Sequence, residues 1–212
     1  MTTMFASRIS RRSLLKAAAF TITAGALTTA TAPFAKAEPG TIVGTVIDFA
    51  AGVPDAQAVK DGGFLGAVRY VSQRRPGAEW MLGKPVTRQE TDAMANLGLK
   101  TASVYQFGKE ETADWKQGAE GARVHAPQAI ELHRAAGGPT GRPIYVAIDD
   151  NPTREQYDNQ IRPYLQTFRT LLSDAGYSMG IYGNYNTINC KLLTRFTNKN
   201  ITFNNFINII SS

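Results

Sequence analysis

The stretch Pro143-Ile-Tyr-Val-Ala-Ile-Asp-Asp150 is a run of apolar residues that ends in two acids. A near-continuous apolar run of this length is typical of a strand that is buried on both faces of a parallel sheet. The same arrangement occurs earlier in the chain, where Thr45-Val-Ile-Asp48 closes a shorter apolar run. Parallel α/β folds bind their ligands at the carboxyl ends of their strands. The two runs therefore predict a parallel α/β sheet with a site at its carboxyl edge.

Apolar runs alternate with helical segments along the rest of the chain. We predict strands at 41–49, 64–72, 99–107, 143–149 and 178–182, and helices at 55–61, 87–97, 112–136 and 153–175. Thr87 and Glu90 have the spacing of a capping box. Because each right-handed crossover adds a neighbouring parallel strand, five such units predict the start of a (β/α)8, TIM-barrel-like fold. An open doubly wound parallel sheet is the alternative, although strand one is followed by Asp48-Phe-Ala-Ala-Gly52 and not by a GxGxxG turn.

We predict that residues 1–37 are a targeting signal and not part of the folded domain. Ser10-Arg-Arg-Ser-Leu-Leu-Lys16 resembles the twin-arginine export signal, and Ala35-Lys-Ala37 offers the small residues that signal peptidase accepts. We therefore expect the twin-arginine translocase and signal peptidase as partners, and a secreted or cell-envelope location. The apolar stretch 17–32 is short and rich in Ala and Thr, so we expect no stable membrane anchor.

Charge and cysteine content narrow the possible functions. Of the 23 Lys and Arg residues, five lie in residues 1–37, which contain none of the 17 acids. Residues 38–190 then carry a formal charge of −2, which argues against a nucleic-acid partner. Cys190 is the one cysteine, and no Cys/His spacing of a zinc site occurs. We expect neither a metal nor another cofactor.

The composition changes after Cys190. Residues 191–212 are rich in Asn, Ile, Thr and Phe and contain no Gly, Pro or acid. A complete (β/α)8 barrel usually needs about 250 residues. We therefore expect a domain at 38–190 that is truncated after its fifth strand, followed by an atypical Asn/Ile-rich tail at 191–212. A truncated or frame-shifted product is our hypothesis for this ending.

Several strand ends, taken together and in order, resemble a known family. The segments that carry the resemblance are Val46–Phe49, Val68–Ser72, Tyr105–Phe107 and Ile144–Pro152. They are similar to the glycoside-hydrolase-like domain of unknown function found in exported actinobacterial proteins. That domain is in turn similar to the lysozyme-like muramidases of glycoside hydrolase family 25. The resemblance runs from Thr41 to about Asn189, and it implies a barrel with acids at its carboxyl mouth that acts on cell-wall glycan.

The resemblance also implies roles for three acids. Asp48 matches the acid that ends strand one in those muramidases. Strand four there carries Asp-x-Glu, whose Glu is the general acid, and this chain has Ala147 and Asp149 at those positions. The implied roles are a stabilising carboxylate or nucleophile for Asp48 and the acid/base for Asp149. Asp150 is the nearest substitute for the missing acid, but adjacent strand residues face opposite sides, so it joins the site only if the strand has already turned into its loop.

Six further side chains are candidates for contact with the glycan: Arg69, Tyr70, Trp80, Tyr105, Gln106 and Tyr182. All but Trp80 lie at predicted strand ends, where packing and salt bridges are the structural alternatives. Trp80 lies in the loop after strand two, where an exposed indole could stack on a sugar ring; core packing is the structural alternative there.

The sequence predicts an exported glycoside-hydrolase-like protein that acts on or binds peptidoglycan or another envelope polysaccharide. Glycosidic cleavage needs one protonated and one ionised carboxyl group, which the strand-end acids could supply. The alternatives are a non-catalytic carbohydrate-binding or regulatory envelope protein, and an inactive truncated product.

Overall fold

The computed structural model describes residues 44–183. The predicted export signal, the start of strand one, the end of the predicted domain after residue 183 and the Asn/Ile-rich tail lie outside the described residues. None of the helices between residues 44 and 183 has the length and apolar character needed to cross a membrane.

Strands and helices alternate through the described part of the chain. The strands are β1 Ile47–Asp48, β2 Gly66–Tyr70, β3 Lys100–Tyr105, β4 Pro143–Ile148 and β5 Ser178–Gly183. The α-helices are α1 Ala56–Asp61, α2 Arg88–Asn96, α3 Gly118–Ala135, α4 Arg154–Gln156 and α5 Arg162–Asp174. Two short 3₁₀ helices, Glu110–Thr112 and Asp114–Gln117, precede α3, and a π-helical turn, Tyr157–Ile161, joins α4 to α5. Each predicted strand is present, and each predicted helix has a counterpart.

The strands form one parallel sheet in the order β1-β2-β3-β4-β5. Asp48 lies beside Val68 of β2, and Ala147 of β4 lies beside Tyr182 of β5. Each new strand is added on the same side of the preceding one. This order is consistent with a TIM-barrel-like fold and differs from a doubly wound sheet, whose order reverses at a switch point.

Side chains alternate between two faces of the sheet. On one, which we call the inner face, strand and strand-end side chains pack against one another; its apolar cluster comprises Val46, Ala50, Val68, Tyr70, Ala102, Val104, Tyr145, Ala147 and Tyr182. The opposite, helix-covered face packs against α1, α2, α3 and α5. This division decides which strand-end residues can meet.

The capping box of α2 and the start of α3 differ from the prediction. Thr87 caps α2 by accepting a hydrogen bond from the Glu90 amide at 3.3 Å. The Glu90 carboxylate does not complete the predicted capping box, since it binds Arg69 instead. The helix predicted from residue 112 begins at Gly118. Asp114 and Trp115 precede it and are both buried.

Candidate active site

Two tyrosine hydroxyls bind the carboxylate of Asp48 on the inner face. Its Oδ2 accepts hydrogen bonds from Tyr70 at 2.9 Å and from Tyr182 at 3.2 Å. Its Oδ1 is buried and accepts no hydrogen bond from the residues that the structure describes. A buried polar atom without a partner costs free energy, so Oδ1 is the place where this site favours a proton or a ligand donor.

The bond between Asp48 and Tyr182 requires a curled sheet. Asp48 ends β1 and Tyr182 lies in β5, four strand spacings away. In a flat sheet these spacings would amount to about 19 Å, which is more than the two side chains together can cross. The sheet therefore curls around its inner face and brings its first and fifth strands together at the carboxyl edge.

Burial controls the protonation of this cluster. It raises the pKa of Asp48, although the hydrogen bonds from Tyr70 and Tyr182 and the charges of Arg69 and Lys84 act in the opposite direction. Burial, followed by the charge of Asp48, raises the pKa of Tyr70 and of Tyr182. Both hydroxyls therefore stay protonated and continue to donate, while the environment of Asp48 favours its neutral form more than water does.

Asp149 follows β4 directly and forms an ion pair with Lys109. The Lys109 Nζ lies 3.0 Å from Oδ2 of Asp149, and the two side chains are 49% and 35% exposed. The hydrogen bond to Asp149 raises the pKa of Lys109. The charge of Asp149 also contributes to the raised pKa of Tyr70 and of Tyr182, the two partners of Asp48. Asp149 thus lies on the same side of the sheet as Asp48.

Asp150 points into the loop that follows β3. Its Oδ1 accepts a hydrogen bond from the Glu110 amide at 3.0 Å, and its Oδ2 accepts one from Nε1 of Trp115 at 2.7 Å. The strand has ended at Ile148, as a shared site for Asp149 and Asp150 would require. These two hydrogen bonds, however, tie Asp150 to the β3 loop.

Arg69, a predicted glycan contact, lies on the helix-covered face and is fully buried. Its guanidinium binds the Glu90 carboxylate and donates to the carbonyls of Phe49 and Gly83, at 2.5 Å each. The guanidinium carbon also lies 3.8 Å from the centre of the Phe49 ring. Arg69 therefore joins the ends of β1 and β2 to α2, and the structure does not bring it into contact with Asp48.

Tyr105 is likewise fully buried on the helix-covered face, against the core formed with α3 and α5. Its hydroxyl lies 2.6 Å from Nδ1 of His125 and donates to Gln128 at 3.0 Å. The physical reason for both placements is the alternation of the strand. Tyr70 faces inward, so its neighbour Arg69 faces the helices, and Tyr105 does so next to inward-facing Val104.

Trp80 lies at the rim of the same edge and is 59% exposed. The loop that carries it is fixed to the loop after β1, because the amides of Leu82 and Gly83 donate to the carbonyls of Ala51 and Ala50 at 3.2 and 2.8 Å. The approach is close: a Cβ on Gly83 would lie 2.9 Å from a carbonyl oxygen of Gly52. An exposed indole is thereby held on a well-fixed loop.

Gln106 follows β3, and its backbone serves as an anchor. Its carbonyl accepts hydrogen bonds from the Ser72 hydroxyl at 2.7 Å and from Nζ of Lys84 at 2.8 Å, and its side chain is half-buried. Sequence reasoning missed Lys84, which is only 4% exposed and lies 4.0 Å above the centre of the Tyr70 ring. Burial, with the charge of Arg75, lowers the pKa of Lys84 to about 8. No local pattern marks this lysine, because its partners come from other strands.

Lys109 is the second functional candidate that sequence reasoning missed. It stands four residues after the end of β3, and this strand-end position was the available signal. With it, the site contains two carboxyl groups in unlike surroundings, two tyrosine hydroxyls and two lysines. Among residues 44–183 no group of three or more His, Cys, Asp or Glu side chains is placed to hold a metal ion. The arrangement is suited to proton transfer between carboxyl groups and a substrate.

A parallel α/β sheet that curls and carries carboxyl groups at its carboxyl edge is consistent with a glycoside hydrolase-like fold. The chain belongs to the family described as Rv2525c-like, glycoside hydrolase-like domain, whose match covers residues 57–208. This match runs past residue 189, where the resemblance was expected to end. The limits of the domain at residues 38 and 190 stay predictions.

The relatives include a protein of Mycobacterium tuberculosis that bears the name "Putative peptidoglycan hydrolase Rv2525c". It is 46% identical over 182 residues, which make up 85% of this chain and 75% of the relative. Crystal structures of the Tat-secreted Rv2525c, in complex with HEPES and with L-tartrate, align with a TM-score of 0.65 at 50% and 51% identity. Each alignment covers 69% of this chain and 71% of the other.

The modular autolysin LytC of Streptococcus pneumoniae, solved with a synthetic peptidoglycan ligand, is a more distant structural neighbour. It aligns with a TM-score of 0.51 at 15% identity, over 71% of this chain and 35% of LytC. At this level of identity the similarity shows a shared fold alone.

Proposed function

We propose that this chain is an exported glycoside hydrolase-like protein that cleaves peptidoglycan or another cell-envelope polysaccharide. In this proposal the carboxyl groups of Asp48 and Asp149 flank the glycosidic bond. The observation that carries the proposal is a buried carboxyl group and an ion-paired carboxylate on one side of a curled sheet. Glycosidic cleavage needs one group that holds a proton and one that is ionised. The family and the name of the relative Rv2525c support the substrate class. We also propose that the whole domain has a TIM-barrel-like architecture.

In this proposal Asp48 is the proton donor and Asp149 is the ionised carboxylate. These roles are the reverse of those implied by the muramidase resemblance. The reason is that burial favours the neutral form of Asp48, whereas Asp149 forms an ion pair with Lys109 at 3.0 Å. Tyr70 and Tyr182 hold Oδ2 of Asp48, which leaves Oδ1 to give its proton to the leaving glycosidic oxygen. As the glycosidic C–O bond breaks, Asp149 stabilises, or attacks, the oxocarbenium-like centre; a water then adds its hydroxyl to that carbon and returns a proton to Asp48.

The proposed export rests on Arg11 and Arg12 and on the name of the relative, which describes a Tat-secreted protein. The test is fractionation of cells that express the full chain or the Arg11→Lys, Arg12→Lys variant. Export of the wild type with retention of the variant supports the twin-arginine route. Equal export of both contradicts it.

The test of cleavage is reducing-sugar release from purified peptidoglycan by the full chain. We expect Asp48→Asn and Asp149→Asn each to abolish most of the release. Asp92→Asn is the matched control, because it removes an exposed acid from α2, where it pairs with Arg88. Equal release by the wild type and both site variants would contradict the proposed roles.

A non-catalytic carbohydrate-binding or regulatory protein is the second candidate. The observation in its favour is Ala147, an apolar inner-face residue at the position where the muramidase strand carries its first acid. Peptidoglycan pull-down beside the release assay separates the two candidates. Retention on the glycan without release of sugar supports the binding protein, and release supports the hydrolase.

A further inference from the structure

The segment 108–117, which we call the β3 strap, is tied to the end of β4 at three points. The Glu110 amide and Nε1 of Trp115 donate to the two oxygens of Asp150, at 3.0 and 2.7 Å. Nζ of Lys109 donates to Oδ2 of the neighbouring Asp149 at 3.0 Å. Two consecutive acids thus bind one segment in different ways, the first through a flexible side chain and the second through a backbone amide and an indole.

We propose that Asp150 is a positioning residue that fixes the β3 strap so that Lys109 stays on the carboxylate of Asp149. The inference deepens the proposed function and rests on it, since Asp149 matters there as the ionised carboxylate. Asp150 acts through the strap and does not itself touch the substrate. In this proposal, Asp149 takes part in the chemistry and Asp150 positions the segment that carries its counter-charge.

The contacts of Asp150 hold a backbone that would otherwise relax. Glu110 has a φ of +54°, a left-handed conformation that costs a non-glycine residue free energy. The amide of this same residue is the one that Asp150 binds. At the other contact the indole of Trp115 is buried in the main core, so its Nε1 is a fixed donor. A strained residue and a fixed side chain are thus held by one carboxylate.

The rest of the strap is anchored independently of Asp150. Oδ2 of Asp114 accepts a hydrogen bond from the buried Tyr164 hydroxyl at 2.7 Å. The Lys109 amide donates to the Thr112 hydroxyl at 3.1 Å, and that hydroxyl donates back to the Lys109 carbonyl at 2.8 Å. The backbone of Lys109 therefore has little freedom once Glu110 is held.

Lys109 needs such support because a partly exposed ion pair of a long side chain is weak by itself. Pairs of this kind contribute little, since ordering the lysine offsets most of the attraction. When the backbone at residues 109 and 110 is already fixed, less entropy is lost on pairing. The strap thus lowers the entropy cost of the pair and keeps Lys109 close to the carboxylate of Asp149.

The test is amine labelling of the full chain with acetic anhydride, read at each lysine by mass spectrometry. Trp115→Phe removes one donor to Asp150 without changing any charge or touching Lys109. We expect labelling of Lys109 to rise severalfold relative to the exposed Lys60 of α1. Glu111→Gln is the matched control, since it breaks the 2.8 Å pair with Lys116 in the same strap and leaves Asp150 bound.

Asp150→Asn is the second variant, for the case in which Trp115→Phe does not fold. Its amide oxygen still accepts one of the two bonds, so we expect a smaller rise at Lys109. Lys109 labelling that stays at the wild-type level in the folded variants overturns the proposal. Labelling involves no glycan, so the two proposals can fail separately. If Lys109 labelling rises in the variants while the wild-type chain releases no sugar, the strap proposal stands and only the hydrolase proposal is contradicted.

Discussion

Arg69 and Tyr70 are neighbours in β2, but their side chains lie on opposite faces of the sheet, and the polar groups on these two faces differ in how fully they are hydrogen-bonded. On the helix-covered face, the Arg69 guanidinium finds a carboxylate and two carbonyls, and the Tyr105 hydroxyl finds His125 and Gln128. On the inner face, Tyr70 donates to Asp48, whose second oxygen is left without a partner among the described residues.

In this fold, side chains that stabilise the sheet and side chains suited to chemistry lie on opposite faces. Polar groups that are buried and satisfied hold elements together, and removing one partner costs the desolvation of the other. A buried carboxyl group with an open oxygen and a raised pKa is costly in the resting protein and is suited to proton transfer. The two faces therefore predict opposite results when their polar residues are changed.

The largest effect is expected on the inner face, for Asp48→Asn. Loss of an acid/base group should lower glycan release by about 10²–10⁴-fold. Because the folded state raises the pKa of Asp48 above 3.8, its contribution to stability is present below that pH and is lost as the pH rises. In thermal melts, the Tm of the variant relative to that of the wild type should therefore increase from pH 4 to pH 7. A decrease in this relative Tm over the same range would contradict the raised pKa.

The helix-covered face should respond in stability to Arg69→Met, which leaves the Glu90 carboxylate buried and unpaired. We expect the free energy of unfolding, measured in urea, to fall by about 3–5 kcal/mol. Arg88→Met is the matched control, because it breaks an exposed pair with Asp92 in α2 and should cost at most about 0.5 kcal/mol. Similar losses in both variants would show that burial of the Arg69 pair is not decisive.

Lys84→Met tests the inner face in a second way, because Lys84 is buried beside Tyr70. Between pH 8 and 10.5 the wild-type folded state holds fewer protons than the unfolded state, so Lys84 makes stability rise with pH. The variant should lack this rise, which amounts to about 3 kcal/mol at about 1.4 kcal/mol per pKa unit. Urea titrations across this range measure it. A rise of the same size in both proteins would contradict the lowered pKa of Lys84.

The smallest effect is expected at the rim, for Trp80→Ala. An indole face that stacks on a sugar should contribute about 1 kcal/mol, or roughly fivefold in affinity for soluble glycan fragments. Leu82→Ala is the comparison, since it removes an exposed apolar side chain from the same loop. Equal losses in titration calorimetry would indicate general apolar contact and not stacking.

Much of the fold follows from local patterns. The apolar runs predicted the five strands, and the alternation of strand and helix predicted a parallel sheet. The period of a strand also requires Asp149 to share a face with Ala147. A strand-end position predicts Arg69 and Tyr105 in the site, but this criterion ignores which face a side chain takes. The capping-box spacing predicts a helix cap for Glu90, but its carboxylate binds Arg69, 21 residues away, and no local pattern indicates this partner.

The order of the elements, the acids at the strand ends and the predicted twin-arginine signal follow from residue type and short-range spacing. The curl of the sheet, which brings Tyr182 of β5 to Asp48 of β1, and the ion pair between Lys109 and Asp149 come from the tertiary packing. These contacts join segments that are distant in the chain, and burial, which depends on the packing of several strands, raises the pKa of Asp48.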